Sequence, residues 1–411
     1  MVKQVAEKPS FKISDQFSIG QDNWDDADFL AVSQISMSSL FKTIAIENTD
    51  CVQPLAVSDK PLDVLALKFD DPLITGRSIS GEVLLNRRLF NDALLVMHKG
   101  RVIHESYRNG MQATDRHVIH SCTKSLCSMI VAMAVDEGLL NPQALVSDYI
   151  DEFKDAEAWQ TVTVQHVWDM QAGIRYSEDY TDPAADYWRY ARAAGYYPPL
   201  EGEKAIGVKA WVFGNLNRRS DPPGTIFAYN STLTIVLGII LENVYGLGLG
   251  ELFENKIYSK IGAHHTGYFN TDLHDFPIVE GQLNLTLRDF ARCGRLMINN
   301  GKNQEGLQVL PVDFVNRVVG IDQPAGQAYH DHISASVFPQ SQYRNHFWVL
   351  EPEQQQLAMI GIHGQFSWCD LKNDLLIVGV GSYPKQDGNL MMSVMKTLWN
   401  GVTNAVVMPK L

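Results

Sequence analysis

The hydrophobic pattern changes character twice along the chain. Apolar residues have strand-like spacing around residues 93–107, then mostly helical spacing from about 140 to 300, and strand-like spacing again near the end. The first region predicts a hairpin, because two apolar runs flank the turn dipeptide Lys99-Gly100. The last region predicts three strands and a closing amphipathic helix, over 357–362, 365–370, 375–381 and 390–402.

Strands at both chain ends, with helices between them, predict one antiparallel sheet that both termini complete. The fold class is then α/β, or more strictly α+β, with a sheet flanked by helices and an inserted, mostly helical domain. We expect an N-terminal arm packed on the body over 1–75, an α/β domain formed by 76–140 and 305–411, and the helical domain over 141–304.

One stretch combines a buried helix with reactive side chains. Ser121 and Lys124 form S-x-x-K, a spacing that puts both side chains on one face of a helix. Apolar residues follow as far as Leu140, and Gly138 is placed to end the helix. A lysine at the buried start of a helix tends to lose its proton, which suits it to accept one from a serine. The motif alone occurs by chance in many chains of this length, so it needs support from other motifs.

The middle of the chain contains predicted helices and a dense aromatic stretch. Helices are predicted over 164–170, where Thr163 can cap the start, over 234–244, and from Thr286 onward. Residues 176–199 hold seven tyrosine and tryptophan residues interleaved with aspartates. Such a stretch is either protein core or the wall of a cleft, and the residues alone leave both interpretations open.

Composition excludes several classes of protein. The chain has 411 residues and a formal net charge of −13, which argues against a nucleic-acid partner. Five scattered cysteines do not suggest a disulfide framework, and neither a signal peptide nor a membrane span is predicted. We therefore expect a cytoplasmic protein that acts on a small molecule, without a membrane partner; a homodimer is left open.

No metal or cofactor is expected either. The glycines at 246, 248 and 250 follow a predicted helix instead of a strand, unlike a dinucleotide-binding loop. The compact histidine pairs, at 264–265 and at 330 and 332, lack a third ligand at zinc-site spacing.

Several motifs in succession resemble those of a known superfamily. Ser121-x-x-Lys124 is followed by Tyr229 after a Pro-Pro-Gly turn, and later by His363-Gly364-Gln365. This order resembles the penicillin-recognising serine hydrolases, the superfamily of class C β-lactamases and DD-peptidases, and within it the 6-aminohexanoate-dimer hydrolases and related carboxylesterases. The resemblance runs from about residue 20 to the end and includes stretches at 95–101, 166–173, 176–183, 223–229 and 286–289.

The resemblance implies a role for each matching residue. Ser121 would be the nucleophile, Lys124 its base, and Tyr229 a partner in proton transfer whose phenolate the lysine favours. The oxyanion hole would combine the Ser121 N–H with one from the strand at 363–366. The implied substrate-binding and oxyanion residues are Tyr180, Asp182, Ser231, His363, Gly364, Gln365 and Phe366.

The departures from the family pattern bear on the substrate. His363-Gly364-Gln365 replaces the K-T-G motif, and a neutral histidine binds a carboxylate less well than an ammonium group does. Hydrolysis of a small linear amide or ester through an acyl-enzyme is therefore expected in preference to β-lactam hydrolysis. The alternatives are a carboxylesterase or acyltransferase, a β-lactamase or DD-peptidase, and a non-catalytic sensor that kept the fold.

Overall fold

The computed structural model describes residues 10–12, 14, 16–49, 51–320 and 336–407. The strands are β1 Ser10–Lys12, β2 Ser18–Gly20, β3 Thr43–Ile46, β4 Lys68–Asp70, β5 Ser78–Ser80, β6 Asn91–His98, β7 Arg101–Tyr107, β8 His117–Val118, β9 Gly267–Asn270, β10 Leu283–Leu285, β11 Gln342–Arg344, β12 Phe347–Glu351, β13 Gln356–Gly361, β14 Gln365–Asp370 and β15 Leu375–Gly381. The α-helices are α1 Leu30–Ser33, α2 Met37–Leu40, α3 Gly81–Leu84, α4 Cys122–Asp136, α5 Val164–Trp168, α6 Asp186–Ala194, α7 Val208–Asn215, α8 Thr232–Tyr245, α9 Leu249–Lys256, α10 Leu287–Ile298, α11 Phe314–Val319 and α12 Asn389–Val407.

A seven-stranded sheet joins the two ends of the chain. Its order is β11-β12-β13-β14-β15-β6-β7, and all neighbours are antiparallel. The predicted hairpin is β6–β7, and β15 pairs with β6, so that late and early segments meet. This confirms the predicted sheet built from both chain ends.

Helices cover both faces of the sheet. Successive residues of a strand point to opposite faces, so β14 contacts a different helix on each side. In β14, Trp368 stacks on Trp399 of α12, with ring centroids 5.7 Å apart. The neighbouring Ser367 faces the opposite helix, α10, so closely that a Cβ on Gly294 would lie 2.3 Å from the Ser367 Oγ. A glycine at this point lets α10 approach the sheet.

A second, four-stranded sheet has the order β3-β9-β10-β8. It was not predicted, because its strands are only two to four residues long and too short to show a period. The sheet ties β3, from the predicted arm, to β9 and β10 in the region predicted as mostly helical. Its edge strand β8 leads directly into the S-x-x-K segment.

The predicted helices are confirmed with small changes at their ends. Helix α4 ends at Asp136, and Gly138 follows with φ +73°, as expected for a residue that stops a helix. Thr163 caps α5 by accepting a hydrogen bond from the His166 N–H at 3.2 Å. The closing helix α12 is longer than predicted and contributes to the core.

In the described part of the chain, no single helix has the length and hydropathy needed to cross a bilayer. One bent pair, Thr232–Tyr245 with Leu249–Lys260, meets the criterion on length and composition only. The five cysteines are free thiols, of which only Cys51 is exposed.

Candidate active site

Ser121 occupies the junction between the small sheet and a buried helix. Strand β8 leads into His120, whose backbone has a left-handed φ of +44°, and Ser121 then stands at the first position before α4. The left-handed residue turns the chain sharply from the strand into the helix. Ser121 is partly exposed and lines a cleft, whereas the helix behind it is buried from Cys122 to Ala134.

Lys124 lies one helical turn onward and is 2% exposed. Its Nζ donates hydrogen bonds to the Ser121 Oγ, at 2.8 Å, and to the backbone carbonyl of Glu280. Burial lowers the pKa of Lys124 below its ordinary value, because the charged form loses its hydration, while the carboxylates of Glu178 and Glu280 act in the opposite direction. The arrangement therefore puts a lysine of reduced basicity against the serine oxygen.

Tyr229 lies beside both groups. Its ring is 5.3 Å from the Lys124 Nζ and stacks on Trp348 with centroids 5.8 Å apart. Burial, with the nearby Glu178 carboxylate, raises the pKa of Tyr229 well above 10, and a hydrogen bond with Ser121 opposes this only in part. These influences favour the phenol over the phenolate that the resemblance implied, because a buried phenolate would lack hydration and face a carboxylate.

These groups open into a cleft of about 180 Å³. Its lining combines apolar side chains with two carboxylates. Beyond Ser121 and Tyr229, its walls are formed by Glu178, Tyr180, Trp348, Ile360, Gly361, Ile362, Asp387, Gly388, Met391 and Met392. Such a lining has apolar surface for an alkyl chain and carboxylates for a cation.

Glu178 organises the acidic wall, and the sequence alone did not single it out. Its carboxylate accepts hydrogen bonds from the Ser231 N–H and Oγ, both at 2.6 Å, and from the Tyr180 hydroxyl at 2.7 Å. Ser231 starts α8 just after Tyr229, so Glu178 links the aromatic stretch to the tyrosine. Asp387 was also missed, because it follows the last strand and no local pattern marks it.

The backbone that approaches Ser121 belongs to the end of β13. A Cβ on Gly361 would lie 2.8 Å from the Ile119 carbonyl oxygen and 3.1 Å from the His120 Cβ. Only a glycine allows the strand this close to the segment that carries the serine. Gly361 and Ile362 also line the cleft, so this backbone is the candidate for the second oxyanion donor.

This corrects the expected position of that donor at 363–366. Gln365 and Phe366 are fully buried in β14, where they pair with Gly361 and Ile360, so they lie one strand further from Ser121. The Gln365 amide binds the Gly381 backbone, and Phe366 packs on Trp399. Neither lines the cleft, because the chain has already reversed direction.

His363 and Gly364 form the turn between these strands and are buried too. The His363 Nδ1 donates to the Tyr383 carbonyl at 2.8 Å, and burial lowers the pKa of the imidazole to about 4. Gly364 has a φ of +91°. The His363 side chain does not line the cleft, so it is not placed to contact a substrate there.

The aromatic stretch is partly core and partly cleft wall. Tyr180 lines the cleft as expected, whereas Tyr190 and Tyr196 are buried behind it. Asp182 is exposed and caps a loop through the Ala184 N–H at 2.9 Å. Asp182, expected among the substrate-binding residues, does not line the cleft, whereas the carboxylates of Glu178 and Asp387 do.

No group of three or more potential metal ligands occurs among the described residues. The backbone N–H groups of His264 and His265 donate to the Asp289 carboxylate, at 2.9 and 3.2 Å, so these contacts hold the loop that carries the pair. The pair at 330 and 332 lies outside the described residues.

The fold and the cleft define a beta-lactamase-like hydrolase. Residues 82–380 match the family model for beta-lactamase, and the chain belongs to this family.

Individual relatives show which members of the family this chain is similar to. The chain is 31% identical over 369 residues to the 6-aminohexanoate-dimer hydrolase of Paenarthrobacter ureafaciens. The matched region covers 89% of this chain and 88% of that protein. A Bacillus anthracis structure provisionally named a 6-aminohexanoate-dimer hydrolase superposes with a TM-score of 0.86 at 23% identity, covering 98% and 100% of the two chains. EstCE1, a hydrolase with promiscuous acyltransferase activity, has the same fold, with a TM-score of 0.60 at 14% identity over 77% and 96%.

Proposed function

We propose that this protein is a serine hydrolase that cleaves small linear amides of the 6-aminohexanoate-oligomer class through an acyl-enzyme on Ser121. The observation that carries the proposal is the 2.8 Å hydrogen bond between the Lys124 Nζ and the Ser121 Oγ, at the edge of an open cleft. A nucleophile in contact with a base of reduced pKa is the arrangement that acyl transfer requires.

The proposed reaction begins with neutral Lys124. It accepts the Ser121 proton as the Oγ attacks the substrate carbonyl carbon, and the resulting oxyanion accepts hydrogen bonds from the Ser121 N–H and the end of β13. The Tyr229 phenol then gives its proton to the leaving amine and recovers one from the Lys124 ammonium. A water molecule then attacks the acyl carbon and gives its proton to Lys124. The bond to the Ser121 Oγ breaks, the Oγ takes up the proton from Lys124, and the acid is released.

The cleft supports an amine-bearing linear substrate. Met391, Met392 and Ile360 offer an apolar surface for a methylene chain. Asp387 is exposed at the cleft, and among the described residues it forms no ion pair with a protein cation. A carboxylate in this position can bind a substrate ammonium group through hydrogen bonds. Glu178 can attract the same group by its charge alone, since the Glu178 oxygens already accept three hydrogen bonds.

Ester cleavage or acyl transfer is the second candidate. The structural likeness to EstCE1 favours it, and so does the chemistry, because an ester needs less help in protonating its leaving group.

The test combines substrates with an active-site label. The purified protein is assayed on 6-aminohexanoate dimer, p-nitrophenyl esters and nitrocefin, and labelled with a fluorophosphonate probe. Ser121→Ala should abolish labelling and reduce turnover by about 10⁴-fold or more. The matched control is Ser125→Ala, whose buried hydroxyl donates to the His346 carbonyl and should be needed for stability only. Retained activity in Ser121→Ala would refute the assignment.

A further inference from the structure

A buried carboxyl group lies behind the nucleophile, and the reaction described above does not use it. Glu280 is 3% exposed. Its Oε1 accepts hydrogen bonds from the hydroxyl groups of Tyr190, at 2.7 Å, and Tyr196, at 2.5 Å. The Oε2 has no hydrogen-bond partner among the described residues. Because a buried carboxyl group is costly unless it is satisfied, this one calls for an explanation.

The same residue contacts the proposed base. The Lys124 Nζ donates to the Glu280 backbone carbonyl as well as to Ser121. The carboxyl group itself does not form a close ion pair with Lys124 in the described part of the chain. The charges of Lys124 and Glu280 nevertheless favour each other's ionised form, since attraction between buried groups is only weakly screened.

We propose that Glu280 is a positioning residue, whose carbonyl oxygen fixes the Lys124 Nζ against Ser121 and whose carboxylate is the counter-charge of the lysine during acylation. The inference rests on the proposed function. As the Oγ–H bond breaks and an N–H bond forms, a positive charge develops on the Nζ within the buried site. The carboxylate, held by two tyrosine hydroxyl groups, stabilises that charge without blocking the cleft.

The surroundings support a distinct role for this carboxylate. Burial lowers the pKa of Lys124 and raises the pKa of Glu280, while their mutual attraction opposes both shifts. The titratable groups that face Lys124 from other positions are His120, Cys122, Glu178, Tyr229 and His346. Those that face Glu280 are Tyr176, Tyr187, Tyr190 and Tyr196. Glu178 is the other carboxylate that raises the pKa of Lys124, and it already accepts hydrogen bonds from Ser231 and Tyr180.

The test is Glu280→Gln, which keeps the side-chain shape and the backbone carbonyl but removes the charge. Without its counter-charge the lysine loses its proton more easily and is a weaker base. The acid limb of kcat/KM against pH should therefore move to lower pH by about 0.5 to 1 unit, and the plateau should fall by about 10-fold. A purely structural role would lower the plateau and leave the limb in place.

Three further variants sharpen the result. Glu280→Asp retains the charge and should restore the wild-type limb. Tyr196→Phe removes one donor to the carboxylate and should move the limb in the same direction as Glu280→Gln, by a smaller amount. Tyr176→Phe is the matched control, because its buried hydroxyl has no hydrogen-bond partner among the described residues and its loss should not move the limb.

The outcomes separate this inference from the proposed function. A folded Glu280→Gln enzyme with an unshifted limb overturns the inference, even if Ser121 is the nucleophile. Failure of the fluorophosphonate probe to label wild-type Ser121 overturns the proposed function itself. If Glu280→Gln does not fold, the double variant Tyr190→Phe/Tyr196→Phe provides the same measurement, and an unshifted limb there also counts against the inference.

Discussion

The Lys124 ammonium group is removed from water, and this sets a direction for the pH dependence of activity. In the proposed reaction the neutral amine is the reactive form, and burial lowers the pKa of Lys124 from its ordinary value of 10.5. Activity should therefore rise with pH on the acid side and reach its plateau well below the pH at which a free lysine titrates. The measurement is kcat/KM against pH on one amide substrate; a limb centred near 10.5 would contradict the prediction.

Tyr180 offers a second prediction for a single side chain. Its hydroxyl donates to Glu178 at the cleft wall, close to where a leaving amine would depart. Tyr180→Phe should lower kcat/KM for an amide by about 10-fold and for an ester by less, because an amine depends more on positioned hydrogen bonds.

The matched control is Tyr245→Phe, which removes another Tyr–Glu hydrogen bond, to Glu137, at a distant exposed site. Equal losses for amide and ester would leave Tyr180 with a packing role, and no loss would remove it from the site.

On the scale of secondary-structure elements, residues that lie on one element could be predicted as part of the site, whereas residues brought together from different elements could not. Ser121 and Lys124 were found because a single helix fixes their relation, and sequence spacing reports it directly. The strand end that approaches Ser121 could not be predicted, because it depends on which arm of the β13–β14 hairpin faces α4, which is a tertiary relation. Glu178 was missed for the same reason, since its link to the Tyr229 segment runs through Ser231, which lies 53 residues away in sequence.

Gly361 tests the role of the β13 end. In Gly361→Ala, the new Cβ would collide with the Ile119 carbonyl and push the strand away from the serine segment. We expect kcat to fall by about 10-fold or more, because a displaced donor binds the oxyanion less well.

Gly214→Ala is the control, since a Cβ there has nothing within 4 Å and the residue lies in α7. That variant should be as active as wild type, and slightly more stable, by about 0.5–1 kcal/mol. Full activity of Gly361→Ala would rule out this backbone as a donor.

On the scale of the whole molecule, the N-terminal segment is a structural part of the active site. Trp24 is 2% exposed, stacks on His120 with centroids 6.4 Å apart, and donates its indole N–H to the Tyr196 carbonyl. It therefore contacts both the residue before Ser121 and the aromatic stretch. An arm over 1–75 was predicted from its irregular polarity, but the contact with His120 could not be, because no sequence pattern relates the two.

Trp24→Ala should reduce the free energy of unfolding by about 3–5 kcal/mol, as for other large aromatic truncations in a core, and should also lower kcat. Phe17→Ala, at a side chain that is 56% exposed, is the control and should change stability by no more than about 0.5 kcal/mol. Chemical denaturation measures both. A Trp24→Ala protein as stable as wild type would show that the segment is dispensable.

The pairing of β15 with β6 also has a consequence for biosynthesis. The Asn91 side chain binds the Val380 carbonyl, 289 residues later in the chain. At a ribosomal rate of about 5–20 residues per second, β6 waits roughly 15–60 s for its partner. During that time one edge of an apolar strand is open to other nascent chains. Yield should thus depend on chaperone supply and growth temperature, and no nascent chain released before residue 381 should carry a finished site.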